Sequence, residues 1–236
     1  NETPQASAAT STGTRKVRDL TGPGITTGFG MEGTDLGILA RTPSGRLLAV
    51  FGDTFAGAGM GAPHVGRPHP GIAQCSPTTD DRPGPGNPDW RSPVGLFSDT
   101  RDPAAGLEWA DAAGPGPLDY AAQLLDYVHG HGCSTVLPSD VLTIGDTMYL
   151  HVMVNEGLGT VTRTQIHRST DDGRTWEPTG AEFSPRLEGG HRQLWTWERG
   201  DDGYVYVLST GFQRDKGVIL MRVPEELLDH PDPGNW

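Results

Sequence analysis

Three stretches of this chain set apolar runs on either side of a tight polar turn, and their spacing constrains the fold more than any other feature. The first, DLGILARTPSGRLLAVFGD, turns at Pro43, Ser44 and Gly45. The second, DVLTIGDTMYLHVMV, turns at Gly145 and Asp146, and the third, QLWTWERGDDGYVYVLSTG, around Asp201, Asp202 and Gly203. Each reads as a β-hairpin. Asp140 lies 105 residues after Asp35 and 52 before Arg192, so a unit of about 52 residues is expected to recur, with 105 counting as two steps. Repeats of that length built from hairpins suit the blades of a β-propeller. The 34 glycines and 20 prolines, scattered between apolar runs, fit a chain with many turns. Helical periodicity is confined to residues 119–130 (DYAAQLLDYVHG) and 224–229 (PEELLD).

Residues 169–176, STDDGRTW, fit the Asp-box pattern Ser-x-Asp-x-Gly-x-Thr-Trp, a turn joining the outer strands of a blade. A weaker copy, SDTRDPAAGLEW, occupies residues 98–109. The expectation is an all-β fold, a β-propeller of five-bladed type with Asp-box turns and about four blades in this chain. Residues 1–22 would be a flexible tail and 23–236 the catalytic propeller, with a last blade supplied by a further C-terminal segment or a second chain.

The net charge of −12 and pI near 4.9 oppose a nucleic-acid partner, which needs a basic stripe. No run approaches the roughly 18 apolar residues of a membrane helix, so no membrane partner is expected. The N-terminal NETPQASAATSTGT reads as a tail left by signal-peptide removal, hence a secreted, extracellular protein. Cys75 and Cys133 are the only cysteines, and a disulfide is the simplest reading for an exported chain, against two unrelated thiols. No spacing resembles a metal site, and neither metal nor cofactor is expected. His129 and His131 in VHGHG read as loop residues at a funnel mouth sooner than as ligands. HVGRPHPG, residues 64–71, reads as a loop able to wall a pocket.

A three-residue turn centred on Ser44 places Asp35 directly opposite Asp53, with Cβ atoms roughly 4.5–5.5 Å apart. Like charges so placed destabilise a sheet and raise a carboxyl pKa, a cost that catalysis would explain. A two-residue turn would put them on opposite faces. Paired carboxylates in a cleft are the equipment of glycoside hydrolysis, one protonating the leaving oxygen and one acting as base or nucleophile. Asp53, ending an apolar strand, is expected to be the more desolvated and so the acid. By the repeat, Asp140 and the His191–Arg192 pair stand at similar places, and Glu156 ends the partner strand of Asp140's hairpin. Asp140, Glu156, His191, Arg192 and Trp195 are therefore the substrate-binding candidates. Trp195 and Trp197 fit blade packing equally well.

The ordered set TDLG, FGDTF, LPSDV and RSTDDGRTW, spread between Gly28 and Pro224, resembles the secreted actinobacterial propellers of glycoside hydrolase family 183. The resemblance implies an endo-D-arabinanase cleaving α-D-arabinofuranosyl linkages in the arabinogalactan and lipoarabinomannan of mycobacterial-type cell walls. It places the two catalytic aspartates on Asp35 and Asp53 and a pocket-lining position on Asp140. The chain stops before a further C-terminal blade that the family pattern carries. Two other readings compete: a sialidase-like or other arabinofuranoside-active glycosidase, and a non-catalytic carbohydrate-binding propeller.

Overall fold

The computed structural model describes residues 13–56, 90–127, 134–157, 159–230 and 232–236. Cys75, Cys133, His129, His131 and the loop at 64–71 lie outside the described residues. Among those described, the regular structure is antiparallel strand with short 3-10 turns, and no α-helix forms.

The first hairpin carries β1 (Gly33–Thr34), β2 (Ile38–Arg41), β3 (Leu47–Phe51) and β4 (Thr54–Phe55). Its turn has three residues: Thr42 N donates to Arg46 O at 2.9 Å and Gly45, at φ 89°, donates to Thr42 O. Glycine takes that left-handed φ without the Cβ clash that other residues suffer. The register Ile38↔Val50 continues past an interruption as Thr34↔Thr54 and Gly33↔Phe55. β3 is buried at all five positions because β2 and β5 (Val94–Ser98) flank it and both faces are packed.

Three main sheets result. The first has the order β2-β3-β5-β6, with β6 only Asp111–Ala112. The second runs β7-β8-β9-β10 (Thr135–Ile144, Thr147–Glu156, Thr160–Ser169, Glu177–Phe183), and the third β11-β12-β13 (Leu194–Arg199, Tyr204–Thr210, Ile219–Pro224). The interval of 105 residues from Asp35 to Asp140 is therefore one sheet and not two repeat steps. Its third and fourth strands follow a long insertion after β4, so the expected second unit does not found a sheet of its own.

Each main sheet begins with its first strand against the next: β7 lies beside both β2 and β11. Thr143 Oγ1 donates to Arg41 O at 2.7 Å, and Ser139 Oγ both donates to Trp195 O and accepts from Trp195 N. The apolar faces close against one another. Leu48, Val50 and Phe97 of the first sheet meet Val136, Met148, Leu150 and Val154 of the second. Ile166 and Phe183 on the second sheet's other face meet Trp195, Val205 and Val207 of the third.

Residues 169–176 join β9 to β10, and residues 98–109 join β5 to β6, the same step in both sheets. In the first of these turns Asp171 accepts from Ser169 Oγ, Thr175 N and Thr175 Oγ1 at 2.6–2.8 Å. Asp172 accepts from Ser44 N and Oγ, fastening this turn to the hairpin turn of the first sheet.

Residues 119–127 are not helical. Ala121, Ala122, Leu124 and Leu125 are buried, a spacing that mimics a helical face. Their backbone instead ties an extended strap across the first sheet, Ala121 N to Phe29 O and Leu124 N to Pro93 O. Of residues 224–229, Glu225–Leu227 form a single 3-10 turn.

Candidate active site

The interruption between the β2-β3 and β1-β4 ladders falls on Asp35 and Asp53. Asp35 N donates to Asp53 O at 3.2 Å, and Gly52 N to Asp35 O at 3.0 Å. Leu36, at φ 56°, and Gly37, at φ 150°, absorb the irregularity. A non-glycine residue held left-handed costs about 1 kcal/mol, strain of the kind that functional sites carry. A Cβ on Gly52 would collide with Asp35 Oδ1 and sit 2.9 Å from Leu36 Cδ1. The absent side chain is what lets the Asp35 carboxyl lie over the hairpin beside Asp53.

The two carboxyls sit in different environments. Asp35 reaches solvent, yet enclosure by its neighbours and the adjacent Asp53 charge push its pKa up to about 6, against a hydrogen bond from the Asp53 backbone. Asp53 is half-buried. Burial raises its pKa too, but hydrogen bonds from Thr135, Trp90 and Ser92 act the other way. Thr135 Oγ1, on the first residue of β7, donates to Asp53 Oδ1 at 2.5 Å and carries the contact from the second sheet to the first. Donors of this sort favour the ionised form.

Thr135, Trp90 and Ser92 were not singled out in the sequence. Thr135 could have been found by counting back from each hairpin turn instead of forward by a fixed period. It stands about as far before the turn at Gly145 as Asp35 does before Ser44. Trp90 and Ser92 follow the long insertion and carried no signal.

The remaining candidates separate. Glu156 is exposed at the end of β8, next to Asn155, whose cross-strand partner is Thr135, so it shares the Asp53 end of the sheet. Asp140 lies deeper in β7, beyond a bulge, and its carboxylate is engaged. Oδ2 accepts from Thr196 Oγ1 at 2.7 Å and Trp197 N at 3.1 Å, and Oδ1 from Val141 N at 2.8 Å. Burial raises its pKa against these bonds. Asp140 pins β7 to β11 and does not stand level with Asp35. The equivalence drawn from the repeat fails because Asp140 stands closer to its hairpin turn at Gly145 than Asp35 does to Ser44.

His191 hydrogen-bonds the Glu188 carbonyl through Nδ1 at 2.6 Å, at the head of the third sheet. Arg192 is 9% exposed, with Nη2 on Trp236 O at 3.0 Å and Glu188 Oε1 at 3.4 Å. Trp195 is 2% exposed and stacks on His151 with centroids 3.7 Å apart, against Phe183 and Trp236. Neither Arg192 nor Trp195 presents a surface to a sugar; both pack the core, where large aromatic area stabilises best. Among the described residues no cluster of three His, Cys, Asp or Glu side chains is arranged to hold a metal ion.

Residues 21–236 match the model of a family described as a domain of unknown function, DUF4185. The chain belongs to this family. A crystal structure of a presumed hydrolase from Bacteroides ovatus is similar to this DUF4185 chain, with a TM-score of 0.50 at 12% identity, covering 88% of this chain and 54% of that one. The chain thus spans about half the length of that protein. A protein of unknown function from Dyadobacter fermentans is similar at a TM-score of 0.44 and 16% identity, covering 85% of this chain and 40% of that one. No curated protein matches the DUF4185 sequence.

Proposed function

We propose that this DUF4185 chain is a glycoside hydrolase that cleaves α-D-arabinofuranosyl linkages within arabinan, with Asp35 and Asp53 as its acid–base pair. The observation that carries the reading is the juxtaposition of two carboxyls across a hairpin whose intervening residue, Gly52, must lack a side chain for them to meet. A structural hairpin gains nothing from like charges side by side. The presumed hydrolase from Bacteroides ovatus and the resemblance to glycoside hydrolase family 183 point the same way. The three sheets with adjoining first strands are compatible with blades around an axis, and the turns at 98–109 and 169–176 with Asp-boxes closing their outer strands.

The environments divide the roles. Asp35, with a pKa of about 6 and access to solvent, holds its proton and delivers it to the glycosidic oxygen as the bond breaks. Asp53, whose ionised form accepts from Thr135, Trp90 and Ser92 against the larger upward push of burial, takes a proton from water or attacks the anomeric carbon. This reverses the assignment expected from the apolar run before Asp53: burial does raise its pKa, but three donors aim at its ionised form, whereas only a backbone hydrogen bond opposes burial and the Asp53 charge at Asp35. Glu156 is placed to contact substrate at the rim. Secretion fits an enzyme acting on a cell-wall polysaccharide. A sialidase reading is weakened because Arg192 is committed to Glu188 and to the Trp236 carbonyl.

The test is oligosaccharide release from arabinogalactan. Asp35→Asn and Asp53→Asn are each expected to lower kcat by about 10³-fold or more with the fold retained. Undiminished activity in both variants overturns the assignment. A wild-type chain that binds arabinan and cleaves no glycan selects the non-catalytic binding reading.

A further inference from the structure

β6 is only two residues long, so the first sheet stops short of covering the outer strands of the second. A cleft of about 300 Å³ remains there, floored by Val136, Val154 and Leu125 and walled by Tyr127, Trp176 and His167. Asp126 and Pro178 at its mouth are exposed. Arg163 and Gln165, on the same face of β9 as His167, complete the lining.

His167 is unusual in this setting. It is 8% exposed, and neither ring nitrogen meets a hydrogen-bonding partner. Burial holds its pKa down to about 4, so the ring is neutral at ordinary pH and offers one donor and one acceptor. Buried polar atoms left unpaired cost about 1–3 kcal/mol each, and a partner filling the cleft would recover that.

We propose that this cleft is a binding subsite for one neutral saccharide unit, distinct from the Asp35–Asp53 pair. The lining selects the ligand class. Arg163 is paired with Glu182 at 3.3 Å, and Gln165 also donates to Glu182, so among the described residues the walls hold no free cation to attract an anion. A purely apolar occupant would leave the His167 nitrogens unpaired. Both nitrogens are buried as the ring stands, and a ring bearing hydroxyls satisfies them once the imidazole turns into the cleft, with its C–H faces on Trp176 and Tyr127; the volume lies at the small end of ligand pockets. Thr135 reaches Asp53, whereas Val136 beside it lines the cleft, so β7 touches the acid pair with one face and this subsite with the other. A glycan chain could be held here while another part of it is cut.

The experiment follows the imidazole 15N resonances of His167 in the full chain during titration with arabino-oligosaccharides, other neutral oligosaccharides and inorganic phosphate. A saturable change at His167 is expected with a neutral oligosaccharide, in wild type and in Asp35→Asn alike. Gln165→Ala is expected to weaken that binding about tenfold. His167→Phe should abolish binding, read by the fluorescence of Trp176 and its neighbours, and keep the wild-type circular dichroism. A His167 ring indifferent to every saccharide, or one answering only to phosphate, overturns the subsite. Cleavage of arabinan with His167 silent leaves the proposed activity standing and removes the subsite; a response at His167 without cleavage does the reverse.

Discussion

At the scale of single residues, Asp35 and Gly52 carry opposite consequences for stability. The Asp35 pKa is raised from 3.8 to about 6 on folding, so between those values the folded chain binds more protons than the unfolded one. Stability is then full below about pH 4 and falls as pH rises through 6. Asp35→Asn removes that penalty. It is expected to raise the unfolding free energy at pH 7.5 by about 1–2 kcal/mol, discounted for the exposure of the group, and to change it little at pH 4. Urea denaturation at the two pH values checks this; an equal effect at both would mean the carboxyl titrates normally. The same value sets the alkaline limb of the rate profile near pH 6, because catalysis needs Asp35 protonated. Gly52→Ala drives a methyl group into the Asp35 carboxyl and Leu36, and is expected to cost about 1–3 kcal/mol and most of the activity. Thr135→Val is the gentler probe. Without its 2.5 Å hydrogen bond the Asp53 pKa rises, and the acid limb of kcat/KM moves to higher pH while the alkaline limb stays put. A parallel drop at all pH values would show that Thr135 only packs.

At the scale of elements, the turns were more legible than the repeat. RTPSGR specified its three-residue turn through Pro43 and Gly45, and with it the register that sets Asp35 against Asp53. STDDGRTW was equally readable, since the short Ser, Asp and Thr side chains that fold back on their own backbone are all local. Asp171→Ala removes three such bonds at once and is expected to lower the urea midpoint, by about 2 kcal/mol of stability, without touching the rate per folded molecule. Long-range placement was less legible. The fixed period failed because a long stretch separates β4 from β5 and because Asp140 stands closer to its own turn than Asp35 does, and neither leaves a local signature. Residues 119–127 misled for a related reason. Buried residues in a strap over a sheet can recur at helical spacing, and only the tertiary packing says which backbone carries them.

At the scale of the whole molecule, the second sheet is the one that the others depend on, packed by the first on one face and by the third on the other. On adjacent strands it carries His151, fully buried against Trp195, and His167 in the cleft. Burial pushes both pKa values down, that of His151 well below 6.5, with His167 adding to the effect. The linkage has the opposite sign from Asp35. As pH falls below 6.5 the unfolded histidines take up protons that the folded ones refuse, so this contribution to stability is present above 6.5 and is lost in acid. The acid response of the fold is thus a contest between carboxyls that gain and histidines that lose. His151→Phe separates the two, because it keeps a ring to stack on Trp195 and removes two nitrogens that have no partner. At pH 7.5 the variant is expected to match or slightly exceed wild type, since replacing an unsatisfied buried polar group by an apolar one of similar shape is nearly neutral or better. At pH 5 its advantage should grow by about 2 kcal/mol, the free energy of one and a half pKa units that the unfolded wild type gains and the variant does not. Urea midpoints at both pH values measure the difference. An advantage that does not change with pH would mean that His151 takes up its proton as readily in the folded protein as in the unfolded one.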